Sequence, residues 1–106
     1  MLPLRHREAA RRDLVEHFVY LAENAGLDVA ERFLTCAEAS FSDLARQPLI
    51  GAHLALSHPE LAGMRKWRIK DFDYHLVFYQ PRPDCVSIVR VLHASSDWWS
   101  LLGLEE

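Results

Sequence analysis

Two periodicities divide the chain. Over residues 7–24 the apolar positions Ala10, Leu14, Phe18, Leu21 and Ala25 recur at three- and four-residue spacing. Arg11, Arg12, Glu16 and Glu23 fall on other faces, so the segment is predicted to be an amphipathic helix. Asn24-Ala25-Gly26 supplies its stop, with Gly26 suited to a left-handed cap. A second helix begins almost at once. Asp28 and Glu31 make a capping-box-like start, and Val29, Phe33, Ala37, Phe41 and Leu44 mark an apolar face that Leu34 and Ala45 widen. Gln47-Pro48 ends it, because the residue before a proline is pushed out of helical geometry. So short a link implies an antiparallel helical hairpin.

Residues 48–63 hold Pro48, Gly51, Pro59 and Gly63 and keep no period, which predicts one long loop. The period then becomes two. In 64–70, Arg65, Trp67 and Ile69 alternate with Lys66, Arg68 and Lys70; Asp71-Phe72-Asp73 is a turn signal; 74–80 is apolar enough for a central strand. Pro81-Arg82-Pro83-Asp84 makes a rigid connection to a β-branched third strand, Cys85 to His93. Ser95 or Ser96 can cap a short last helix through Leu102, and residues 2–6 admit one more short strand, limited by Pro3. Helices grouped before an antiparallel run predict an α+β domain, its hairpin covering one face of a small antiparallel sheet, with a short C-terminal helix. A chain of 106 residues suits one compact domain, 1–106.

Composition places that domain among ordinary soluble proteins, half hydrophobic and a quarter charged. No run approaches the roughly 20 apolar residues needed to span a bilayer, and the N-terminus turns charged within five residues, so a cytoplasmic location is expected. Cys36 and Cys85 lack the paired spacing of a zinc or redox motif and read as reduced thiols. Net charge is -3, unevenly spread: residues 1–59 carry six basic and eight acidic side chains, 60–93 six and four, and 94–106 three acidic and no basic ones. The middle block is the electropositive part.

Five motifs stand in order along this framework: Ala10-Arg11-Arg12-Asp13-Leu14; Leu44-Ala45-Arg46-Gln47-Pro48-Leu49-Ile50-Gly51; Arg-x-Trp-x-Ile-x-x-Phe from Arg65 to Phe72; His-Leu-Val-Phe-Tyr over 75–79; and Ile-Val-Arg-Val-Leu-His-x-x-x-Asp-Trp from Ile88 to Trp98. In this order and spacing they resemble the ParE branch of the RelE/ParE toxins across nearly the whole chain. The resemblance implies a plasmid-stabilisation toxin of a type II toxin–antitoxin module, in a toxin–antitoxin hetero-oligomer with a small ParD-like antitoxin whose C-terminal part wraps it. ParE-type members are associated with inhibition of DNA gyrase, RelE-type members with messenger RNA cleavage on the ribosome. Where the family commonly has an arginine pair after the strand-end histidine, this chain has Ala94-Ser95-Ser96, and its N-terminal strand is abbreviated.

Metal-free RNA cleavage needs a base for the 2′-hydroxyl, cations for the phosphate and an acid for the leaving oxygen. Glu60, Arg65 or Arg68, and His93 are the residues that could serve. Each has a plainer reading: Glu60 as a solvated loop charge, Arg65 at the rim of the core beside Trp67 and Ile69, His93 as a capping or core histidine. Arg90, inside an apolar strand, calls for a carboxylate partner. The other histidines show no ligand spacing, so neither metal nor cofactor is expected.

Charge ranks the functions. A ribosome-dependent nuclease grips a polyanion and benefits from surplus lysine and arginine, which a net -3 chain lacks. The expectation is therefore a toxin that binds a protein target, with Arg65, Arg68, Arg90, His93, Asp97 and Trp98 as target-binding candidates. Leu14, Phe18, Leu21, Phe33 and Phe41 are candidates for antitoxin contact. Trp98 and Trp99 near an acidic C-terminus are either interface anchors or packing for the last helix. A RelE-type nuclease and a detoxified antitoxin-binding relative are the alternatives.

Overall fold

A computed structural model describes residues 1–55 and 59–102, the side chain of Trp99 excepted. The chain runs β1 (Leu4–His6), α1 (Glu8–Asn24), α2 (Leu27–Arg46), β2 (Ala52–His53), a 3-10 turn (Pro59–Leu61), β3 (Arg65–Ile69), β4 (Phe72–Pro81), β5 (Val86–His93) and α3 (Trp98–Leu101). The strands form one sheet in the order β1-β5-β4-β3-β2. The expected α+β architecture is therefore present, with the helical hairpin on one face of the sheet.

The sheet differs from expectation in one respect: it is mixed. β2, β3, β4 and β5 pair antiparallel, whereas β1 lies parallel to β5, with Leu4 opposite Val86 and His6 opposite Ile88. β1 adjoins the last strand in sequence, so no tight turn sets its direction, and the helical hairpin intervenes as a parallel neighbour requires. The segment 48–63 is also not all loop. Ala52–His53 pairs with β3, and Pro59–Leu61 forms a turn; two- and three-residue elements are too short to show a period. Residues 56–58 of that segment, like 103–106, lie outside the described set.

Two local starts also shift. α2 begins at Leu27 with Gly26 as its N-cap, and no side chain caps it. Gly26 has φ +103, and its carbonyl accepts the first helical bond from the Ala30 N–H. Asp28 therefore sits inside the first turn, where its charge suits the helix dipole rather than a cap. The β3–β4 turn is Lys70-Asp71, since Ile69 pairs with Phe72. Asp71 takes the left-handed conformation (φ +66) that this two-residue turn demands and that aspartate tolerates.

β4 and β5 read as continuous apolar runs because both their faces are buried. Toward the helices, Val77, Tyr79, Val86, Ile88 and Val91 pack with Ala10, Phe33, Ala37, Phe41 and Leu44. On the opposite face, Leu76, Phe78, Val89 and Leu92 lie under Leu61 and Met64, with Leu54, Trp98 and Leu102 at the margin. The C-terminal helix thus closes a second small core.

β1 covers β5 only as far as Ile88. Beyond it, α1 completes the strand with side chains. The Val91 N–H donates to Asp13 Oδ2 at 2.9 Å, and the Val91 carbonyl lies 2.7 Å from His17 Nε2, one helical turn further on. A carbonyl only accepts, so His17 carries its proton on Nε2. Ala10, fully buried, lets the helix approach closely enough for this exchange.

Candidate functional site

Arg90 has the carboxylate its surroundings call for. Its Nε donates to Asp13 Oδ2 at 2.7 Å and its Nη2 to Asp13 Oδ1 at 2.8 Å, a two-pronged pair. Hydrogen bonding to Asp13 raises its already high pKa, against the opposing effect of burial. Its Nη1 donates to the Leu101 carbonyl, which ties α1, β5 and α3 together. Arg90 is thereby committed to structure.

Arg65 is committed as well. Its Nη1 donates to the carbonyls of Leu49 (3.1 Å) and Gly51 (2.7 Å), clamping the loop after α2. Buried Tyr79 completes the clamp, its hydroxyl donating to the Pro48 carbonyl and accepting from the Gly51 N–H. A Cβ at position 51 would stand 2.6 Å from that hydroxyl, so only glycine fits. Burial raises the Tyr79 pKa, partly offset by the Gly51 N–H and by Arg65. The Leu-Ala-x-x-Pro-x-x-Gly motif is thus a loop seated on a tyrosine.

The candidate nuclease set is not assembled. Glu60 is exposed, and its carbonyl accepts from Gln80 Nε2, whereas His93 pairs with His75. Five residues of β4 separate those two rows, about 16 Å at the ordinary strand rise. Arg65 stands opposite Tyr79, and Arg68, opposite Leu76, alternates onto the other face of β3. His93 Nδ1 accepts from the Ser95 N–H at 3.1 Å and lies 2.7 Å from the Ser95 hydroxyl, so the ring proton sits on Nε2. Ser96 Oγ donates to the His93 carbonyl. Among the described residues no group of three or more His, Cys, Asp or Glu stands where it could hold a metal ion.

One end of the sheet does gather exposed and polar groups. Tyr74, 71% exposed, stacks on His93 at 6.0 Å, and His93 meets His75 edge-to-face at 5.2 Å. Asp71, Phe72 and Asp73 complete a shallow cleft of about 290 Å³ around these rings, and an adjoining hollow that shares both aspartates holds exposed Arg68. His75 is buried against Phe33, Phe72 and His17, and its Nδ1 has no hydrogen-bond partner. Burial, with His17 and His93 nearby, pushes its pKa down to about 4. Asp97, not Ser95 or Ser96 as expected, stands at the N-cap position of α3, where it makes no capping bond and accepts from the Ser100 hydroxyl, while Trp98 packs on Phe78 at 5.2 Å with Lys66 over its ring. Of the target-binding candidates, Arg68 and His93 lie at this open end, and Arg65 and Arg90 are engaged elsewhere.

The helical candidates separate in the same way. Phe33 is fully buried, and Leu21, like Leu14, packs against the core. Their spacing had marked the face the helices turn to the sheet. Phe18 is half-buried. Leu14 and Phe41 line a groove of about 340 Å³ between β1 and the hairpin, with Leu4 and Leu34. The outward apolar residues of α1 are Val15, Val19 and Tyr20, which the helical period placed off the core-facing stripe.

The model of the ParE toxin of the type II toxin–antitoxin system parDE matches residues 4–98. The chain belongs to the ParE toxin family. No curated protein sequence matches it. Among solved structures, a chain of the chromosomal ParDE toxin–antitoxin system from P. aeruginosa superposes with a TM-score of 0.73. The match covers 90% of this chain and 98% of that one at 16% identity, a likeness of fold. In this ParE-family chain three motif elements prove to be structural: Asp13, Gly51 and Arg90 each hold one element against another. Tyr74 is the site residue that sequence reasoning missed. Its signal was an aromatic at the start of a strand, just after a turn.

Proposed function

We propose that this ParE-family toxin acts by binding a cytoplasmic protein target, DNA gyrase, and that a ParD-like antitoxin neutralises it by packing into the groove between β1 and the helical hairpin. The observation that carries the reading is the scattering of the groups RNA cleavage would need, with Glu60 and His93 at opposite ends of β4. A net charge of -3 supports it, since a polyanion-gripping enzyme is rewarded for cations. The target surface is the open end of the sheet, where Tyr74 stacked on His93 offers a rigid aromatic anchor beside Arg68. On the antitoxin side, Leu4, Leu14 and Leu34 provide an apolar floor for a partner helix.

A supercoiling assay with purified protein and gyrase tests the target. Inhibition is expected, weakened about tenfold or more by Tyr74→Ala. Unchanged supercoiling at high toxin excess excludes gyrase. One observation favours a second reading, a detoxified relative: Ser95 and Ser96, standing where the family carries arginines, are folded back onto His93. Growth arrest on expression without antitoxin would dispose of that reading.

A further inference from the structure

At the end of the sheet remote from His93, β4 and β5 turn polar. Gln80 and Ser87 pair across the strands and are both buried, and Arg5 of β1 stands in the same row opposite Ser87. Both ends of the Gln80 amide are used. Nε2 donates to the carbonyls of Glu60 (2.9 Å) and Ala62 (3.3 Å), which fixes which way the amide points. Oε1 accepts from Arg7 Nη2 at 2.8 Å and from Arg82 Nη2 at 3.1 Å, and Arg7 Nε also donates to Ser87 Oγ.

Two guanidinium groups, far apart in sequence, thus converge on one neutral oxygen. Among the described residues neither has a carboxylate within ion-pair distance; the ion pairs there are Arg46–Asp43 and Arg90–Asp13. An amide oxygen has two lone pairs and no charge, so it orients both cations without neutralising either. Each guanidinium keeps most of its five donors for something else, in a fork geometry that matches an oxyanion.

We propose that Arg7 and Arg82, oriented by Gln80 and Ser87 and supported by Arg5, form a site for a single carboxylate borne by a protein partner. The surroundings decide for an isolated carboxylate over a nucleic-acid backbone. Glu8 follows Arg7, Asp84 follows Arg82 by two residues, and Glu60 lies on the adjoining turn, all exposed. Carboxylates so near in the chain, in a molecule of net charge -3, oppose a train of phosphates more than they oppose one isolated charge. Among the described residues the cations that lie over aromatic rings are Arg32 and Lys66, not these arginines, unlike single-strand binding sites with their stacking platforms. The site lies at the opposite end of β4 from Tyr74 and does not depend on gyrase being the target.

The test is a titration of the ¹⁵N-labelled protein with succinate at constant ionic strength, following the arginine Nε–Hε resonances. Those of Arg7 and Arg82 are expected to shift together and saturate. In Arg82→Gln the Arg7 response should weaken about tenfold, while in Arg12→Gln it should be retained. Linear, unsaturating shifts of Arg7 and Arg82, or an unaltered Arg7 response in Arg82→Gln, overturn the site. A second arm compares an otherwise neutral hexapeptide carrying a single glutamate with a thymidine oligonucleotide of equal length. Tighter binding of the peptide at these two arginines is expected; tighter binding of the oligonucleotide there overturns the assignment to a protein partner.

Discussion

Two stretches of the same strand, β5, are completed by different means. Along Val86–Ile88 its outer edge is paired by the backbone of β1. At Val91 the same edge is paired by side chains, Asp13 and His17, projecting from α1. Backbone pairing asks little of residue identity, so β1 can be three residues long and follow a proline. Side-chain pairing asks for one carboxylate and one imidazole, one helical turn apart. The carboxylate then admits a charged partner, Arg90, into an otherwise apolar strand, and Arg90 in turn fastens α3. The contrast explains why the first motif of the chain lies on a helix although its task is to finish a sheet.

Substitutions should break the two stretches unequally. The largest effect is expected for Asp13→Ala, which strands the Arg90 guanidinium and leaves the buried Val91 N–H without an acceptor. A loss of about 3–5 kcal/mol is expected, read from urea denaturation. A value below about 1 kcal/mol would mean that α1 does not complete the strand.

Acid comes next. Folded His75 titrates near 4, whereas an unfolded histidine titrates near 6.5. Between these values the unfolded chain binds more protons, so this contribution is intact above about pH 6.5 and declines as pH falls toward 4. The decline attributable to His75 should be at most about 3 kcal/mol, the gap between about 6.5 and about 4 at roughly 1.4 kcal/mol per pH unit. It is measured as the difference in pH slope between wild type and His75→Phe, which keeps an aromatic ring against Phe33. Equal slopes would remove His75 as the cause.

His17→Phe retains a ring but loses the donor to the Val91 carbonyl, with an expected cost of about 1–2 kcal/mol, seen also as faster amide exchange along Val91–His93. Arg5→Ala, in the backbone-paired stretch, should change stability by no more than about 0.5 kcal/mol. A larger loss there would erase the comparison.

Much of this fold was legible before any coordinates. The switch from helical to alternating period placed both long helices and the three long strands, and an arginine between valines announced the need for a carboxylate. The partner's identity was not legible in the period, because Asp13 lies off the apolar stripe and its task is set by a strand 78 residues away. The parallel β1 left no local mark, since its neighbour is the last strand of the sheet. The apolar run of β4 hid the tyrosine hydroxyl on which the Pro48–Gly51 loop is seated. At the candidate site, His93 and Arg68 were visible as strand-end polar residues. The stripe that offers Phe33 and Leu21 for antitoxin contact is also the one that faces the core, so the period alone does not separate the two roles.

We propose binding, and not RNA cleavage, as the mode of action of this ParE-family toxin. Pulse-labelling of DNA, RNA and protein after induction without antitoxin, with transcript integrity followed in the same cells, tests it most directly. Incorporation into DNA should fall first while messenger RNA stays intact. Early arrest of protein synthesis with cleaved transcripts would contradict it.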